Sequence, residues 1–313
     1  MFSFLKKSKA KTVPAWAASF FSADEYDVFI TELEAMLKKR NLNYSIGDGV
    51  VYLSGSNAIF EQLGLINLAQ TCKLSAPSSW ESLINTHFHE MEQISDFTKL
   101  FEVKSRDFEY AKDFLAIRLF NGDVLNDVQK DIFVKRAFAG DAFTMLSFDL
   151  PQSVINVKPE QMQNWNKSQD ELFEIGKRNV EKKYNFDFSR ETINDFDIWF
   201  IQDEHHFVPN FVFSLDKYPA LNGEFGSLIG VPHRHAAIIY PIETTEAIEA
   251  VNSLPFIISG MFKEGPGSVS NHLYWYHKGV FQSLPFELGE NKLVFKPGLE
   301  FLDILQQLPA KDA

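Results

Sequence analysis

The sequence predicts an α+β fold, with antiparallel sheets and packed helices assembled from helix-plus-hairpin units. Three observations lead there. Helical and strand-like stretches come in blocks, without the strand–helix alternation that builds a parallel sheet. Short β-branched and aromatic runs are separated by tight-turn residues, the pattern of antiparallel hairpins. The 313-residue chain is 45% hydrophobic and holds 31 Phe, enough large rings to fill a core between sheets and helices.

The elements follow in order. Ser22 and Glu25 frame a capping box, in which each side chain answers the other's backbone amide. Phe29, Leu33, Met36 and Leu37 then form one apolar helical stripe, and Lys38, Lys39 and Arg40 crowd the last turn, where the helix dipole favours cations. Tyr44 to Leu53 reads as a hairpin around Gly47-Asp48-Gly49. A helix is expected over Ala58–Cys72, then a break at Ala76-Pro77. A second capping box, Ser78 with Glu81, opens a helix whose apolar face is Trp80, Leu83, Ile84, Phe88 and Met91 and which ends near Gln93.

From Ala116 the texture changes to strands: Ala116–Phe120, Ile132–Phe138 and Ala142–Phe148, the last two joined by Ala139-Gly140-Asp141. Ser168 and Glu171 make a third capping box for a helix through Tyr184. Strands Phe196–Gln202 and Phe207–Leu215 are expected to flank Asp203-Glu204-His205-His206. Next comes the hairpin of greatest interest, Ser227–Val231 and Ala236–Tyr240, with Pro232-His233-Arg234-His235 at its tip. A helix from Thr244 or Thr245 carries Pro255, which predicts a kink or two abutting helices. Gly265-Pro266-Gly267 ends it. A hairpin around Lys278-Gly279, a short strand at Leu293–Phe295 and a helix over Leu299–Leu308 close the chain. The predicted organisation is a flexible basic tail over residues 1–20, a helix-rich α+β region over 21–95 and a larger α+β domain with an antiparallel sheet over 105–313.

Composition narrows the function. A net charge of −12 without a cluster of Lys and Arg in the folded region argues against nucleic acid as partner. The single cysteine, Cys72, excludes an intrachain disulfide and a Cys-rich zinc site, and its apolar context makes it a buried structural thiol. No run is long enough to span a bilayer. The lysines near the N-terminus allow at most weak contact with an anionic membrane surface. A cytoplasmic location is expected.

The histidines are the candidate chemistry. His87 and His89 sit two residues apart on a helix, about 200° around the axis, and cannot share a metal. His205 and His206 read as residues of an exposed turn. His233 and His235 are better placed: if both were extended they would project together, and two imidazoles plus a carboxylate suit zinc. Asp203, His205 or Glu224 would complete such a set, and a zinc-bound hydroxide would serve hydrolysis. Arg234 is suited to gripping a carboxylate with two hydrogen bonds, and Trp275, between Tyr274 and Tyr276, to stacking on a ligand. The candidate binding residues are thus Arg234, His233, His235, Glu224 and Trp275, with His233 and His235 as the candidate metal ligands.

The run Gly140–Val154, followed by Gln163-Asn164-Trp165 and Ser168–Val180, resembles the YtpQ-like bacterial proteins, a family of unknown function. Members often carry a Val-Pro-Asn-Arg-Asp or related segment before an apolar strand, and Val231-Pro-His-Arg-His235 stands in that place. The N-terminal helix, Leu63-Gly-Leu-Ile-Asn-Leu-Ala69 and Trp80 are compatible with the same family. His233 and His235 replace the Asn and Asp of the commoner version, so any role of that Asp would be lost or altered. The resemblance implies a class and no activity.

Together these readings predict a non-catalytic binding or chaperone-like module without a cofactor, acting on an unknown protein or small-molecule partner near the hairpin tip. A zinc-dependent hydrolase built on His233 and His235 is the rival. A homodimer paired through an exposed hairpin edge is a third possibility.

Overall fold

A computed structural model describes residues 12–18, 20–55, 58, 60–121, 132–140, 142–193, 196–265, 267–289 and 292–310. Residues 1–11 of the expected tail and Asp141 of the expected turn lie outside them. The chain divides into two compact units, Met1–Val103 and Lys104–Ala313.

In the first unit packing extends ahead of the Ser22 cap: Ala17 is buried in the core, and Trp16 and Phe20 pack against it. Helix α1 (Ala23–Lys39) carries the expected capping box, with Ser22 N–H donating to Glu25 at 2.8 Å. Strands β1 (Asn43–Gly47) and β2 (Val50–Ser54) form the expected hairpin. Part of the helix expected over Ala58–Cys72 is instead β3 (Gln62–Gly64), which adds to the hairpin by pairing Leu63 with Val51. Helix α2 is only Ile66–Lys73. The Ser78–Glu81 box does not form: a 3-10 turn over Pro77–Ser79 runs straight into α3, and the Ser79 hydroxyl donates to Ala76 O at 2.7 Å. Helix α3 spans Trp80–Lys104 rather than stopping near Gln93, since neither Gly nor Pro interrupts it. Phe29, Leu33, Leu37, Val51, Leu65, Cys72, Trp80 and Ile84 make one buried core.

The second unit is built on two antiparallel sheets. In the first, β4 (Leu115–Asn121) pairs one edge of β6 (Ala142–Leu150), while β5 (Lys135–Ala137) and β7 (Ser153–Asn156) share the other edge. Helix α4 (Gln169–Lys183), capped by Ser168 and Glu171, packs on β4, where Gly176 lets the helix approach Ala116.

The second sheet has six strands. It runs in the order β13 (Val280–Leu284), β12 (Leu273–His277), β10 (Ser227–His233), β11 (Ala236–Pro241), β9 (Phe196–Gln202) and β8 (Phe188–Ile193). The central strands are buried on both faces. Ile201, Ile229, Ile239 and Tyr274 face one core, shared with β4. Ile198, Leu228, Ile238, Leu273 and Trp275 face another, covered by α5 (Ala247–Glu264) and α6 (Leu299–Gln307). Strands β14 (Phe286–Leu288) and β15 (Leu293–Phe295) form a small separate ribbon. Helix α5 passes through Pro255 as one element rather than as two abutting helices.

One expected strand is a helix. Residues Val208–Lys217 form 3-10 helix with a kink at Ser214, not the partner of β9. Phe207, Val208, Phe211, Val212 and Leu215 recur with helical rather than alternating spacing, and all are buried on one core. The Asn210 amide donates to Ile117 O at 2.6 Å and ties this helix to β4. Among the described residues no helix is long and apolar enough to cross a membrane.

Candidate functional site

The site grows from the turn between β10 and β11. His233 pairs with Ala236, so Arg234 and His235 are the two-residue loop. The register shifts between Gly230 and His233, a bulge that accommodates Pro232, which has no N–H to give the ladder. The backbone of the tip is held from two sides. Arg234 N–H donates to Gly267 O at 3.0 Å, and His235 O accepts from Asp203 N–H at 3.1 Å.

Close approach to the loop after α5 then places two side chains. A Cβ at Gly265 would lie 2.1 Å from Cδ2 of His233, and one at Gly267 would lie 2.6 Å from Cδ of Arg234. Gly267 also has φ +67, in the left-handed region that favours glycine. The glycines read from sequence as a helix stop are therefore also the floor on which His233 and Arg234 rest.

Hydrogen bonds settle the state of His235. Arg234 Nε–H donates to its Nε2 at 2.9 Å, so the ring proton sits on Nδ1, which donates to Asp203 O at 3.0 Å. His233 Nδ1 accepts from His235 N–H at 3.3 Å. The two rings lie 6.4 Å apart, centroid to centroid. Both nitrogens of His235 are thus engaged, and a metal at this ring would have to displace one partner. Among the described residues no group of three or more His, Cys, Asp or Glu is placed to hold a metal ion.

Two residues that sequence reading passed over join the tip. His206, expected in an exposed turn, is half-buried with its ring 5.2 Å from that of His235. His205 is half-buried as well, because the segment turns inward to the 3-10 helix and does not form a hairpin. Its ring lies 4.5 Å from that of Tyr184, and its Nδ1 accepts from Phe207 N–H at 3.1 Å. Arg118, on β4, is half-buried with its guanidinium 4.7 Å from the Phe120 ring centroid and within electrostatic reach of Arg234. Its signal was legible: it is the single charged residue in the apolar run Leu115–Phe120.

The electrostatics all point one way. Burial, then the neighbouring Arg234, push the Arg118 guanidinium down to about 10. Burial, then Arg234, His235, Arg118 and His205, push His206 down to about 4. Burial also lowers Arg234 and, with His235 and Arg234 adding to it, lowers His233. His235 is lowered chiefly by burial, against the opposing pull of the Asp203 and His205 carbonyls. No carboxylate bonds to Arg118 or Arg234 among the described residues. The Asp203 carboxylate accepts the His205 N–H at 3.0 Å.

The remaining candidates lie elsewhere. Glu224 is exposed in the Gly223–Gly226 turn, at the far end of β10 from His233, about 20 Å of strand away. Trp275 is 1% exposed, faces the core under α5, and spends its indole N–H on Phe225 O at 3.0 Å. It cannot stack on a ligand there. Beside the tip, His205, His206 and Glu204 line a cleft of about 370 Å³ with Tyr184 and Lys183. Of its two carboxylates, Asp149 is bonded to Lys183 and, at 2.9 Å, to the Tyr184 hydroxyl.

No family model, no curated protein and no solved structure matches this chain.

Proposed function

We propose that the protein is a non-catalytic binding module whose recognition point is the Pro232–His235 tip, and that the feature recognised there is an anionic group on a small molecule or a partner protein. One observation supports this reading above the others. Arg118 and Arg234 are half-buried cations without a carboxylate partner among the described residues. Withdrawing a charge from water without a counter-charge is costly, and an arriving anion removes that cost. The groups at the tip are guanidinium and imidazole N–H donors, which hold an anion rather than attack one. The proposal keeps the YtpQ-like affiliation and a cytoplasmic location, in which the lone buried Cys72 stays reduced.

The test is thermal stabilisation and calorimetric titration of the full chain with a panel of simple anions. The wild type is expected to gain stability with at least one of them, and Arg234→Gln to lose at least tenfold in affinity, about 1.4 kcal/mol. A wild type indifferent to every anion would remove the basis of the reading.

A further inference from the structure

We infer that the tip takes a tetrahedral dianion of the phosphoryl or sulfuryl class, and that the dianion arrives together with a proton held by His206. This rests on the binding reading above and specifies its ligand.

The charge count comes first. Arg118 and Arg234 carry two fixed positive charges, which a dianion neutralises and a carboxylate would leave half-balanced. The donors also come from separate parts of the fold: Arg118 from β4, Arg234 from the hairpin tip, and His206 from the segment before the 3-10 helix. Donors from separate elements suit an anion whose oxygens point in several directions better than a flat carboxylate met by one fork. Finally, the site is reachable, since His206 lines the adjoining cleft and neither arginine is fully buried.

The proton follows from the neighbours of His206. Facing it are Arg118 from β4, Arg234 and His235 from the tip, and His205 from its own segment. Lys183 and Tyr184 from the end of α4, Asp149 from β6, and Glu204 share its cleft. Asp149 is already engaged by Lys183 and Tyr184. Without an anion, burial and then the cations hold His206 neutral, down to about 4. A dianion cancels the repulsion from Arg118 and Arg234 and raises the imidazole's proton affinity. Above about 4 and up to the raised bound-state value, the bound state holds more protons than the free state, so affinity rises as pH falls.

Sulfate is the probe, because it stays a dianion throughout and any pH dependence belongs to the protein. Titrations of the full chain from about pH 8 to about pH 5 are expected to show sulfate binding that tightens toward acid, by up to about tenfold per pH unit. His206→Gln should still bind sulfate near pH 8 but lose the slope. Arg118→Gln and Arg234→Gln should lose binding while retaining a wild-type circular dichroism spectrum, and Arg234→Lys, which keeps the charge, should retain part of it. Inorganic phosphate and phenyl phosphate, compared side by side, distinguish a free anion from a phosphate ester as the ligand.

The alternatives separate cleanly. Sulfate binding with the same slope in His206→Gln overturns the proton coupling and leaves the binding module intact. Acetate binding as tightly as sulfate overturns the dianion assignment only. Binding of no anion at any pH overturns this inference and the module together.

Discussion

At the scale of residues, the tip shows how a site is made by what neighbours lack. Gly265 and Gly267 have no Cβ, and the space so left is filled by the His233 ring and the Arg234 stem. Gly265→Ala puts a methyl into the imidazole and also 2.7 Å from Met261 O. A cost of about 1–3 kcal/mol is expected, read by chemical denaturation. In a His233→Ala background the cost should shrink without vanishing, because the Met261 carbonyl remains. Equal costs in the two backgrounds would show that the ring does not rest on Gly265. Arg118, His206 and Gly267 became visible as one site only through the fold: 88 residues part Arg118 from His206, and no local pattern joins them.

At the scale of elements, the caps were the most legible features. Two of the three expected boxes, at Ser22 and Ser168, are made in full. Ser168→Ala is expected to cost about 1 kcal/mol and to lower the melting temperature of the second unit by a few degrees. No change would mean that Gln169 and Glu171 hold the end of α4 by other means. The failed box at Ser78 has a physical cause: Pro77 starts a 3-10 turn one residue earlier, so α3 grows out of a turn and needs no cap. The mistaken strand at Phe207–Leu215 has another. Its apolar residues carry the helical period, but their β-branched and aromatic character weighs toward strand, and the two signals compete in a short run.

At the scale of the whole molecule, the two units keep separate apolar cores. Phe29, Leu37 and Trp80 belong to the first, whereas Ile229, Leu228 and Trp275 line the two cores of the second. Cooperative unfolding follows shared packing, so two calorimetric transitions are expected. Trp80→Ala removes a fully buried ring and its bond to Ser75 O at 3.1 Å. It should lower one transition by an amount equivalent to about 3–5 kcal/mol and leave the other in place. A joint shift of both would show that the units unfold as one.

By itself the sequence determined the α+β class, the antiparallel hairpins, the burial of Cys72 and the tip at residues 232–235. Each follows from short-range physics: the period of apolar residues, the dihedral needs of Gly and Pro, and reciprocal caps. The tertiary structure alone decided which charges meet. It carried Trp275 into a core and Glu224 to the far end of β10, and it brought Arg118 and His206 to the tip. Strand register and sheet order set those distances, and both depend on pairings between residues far apart in the chain, which no local pattern encodes.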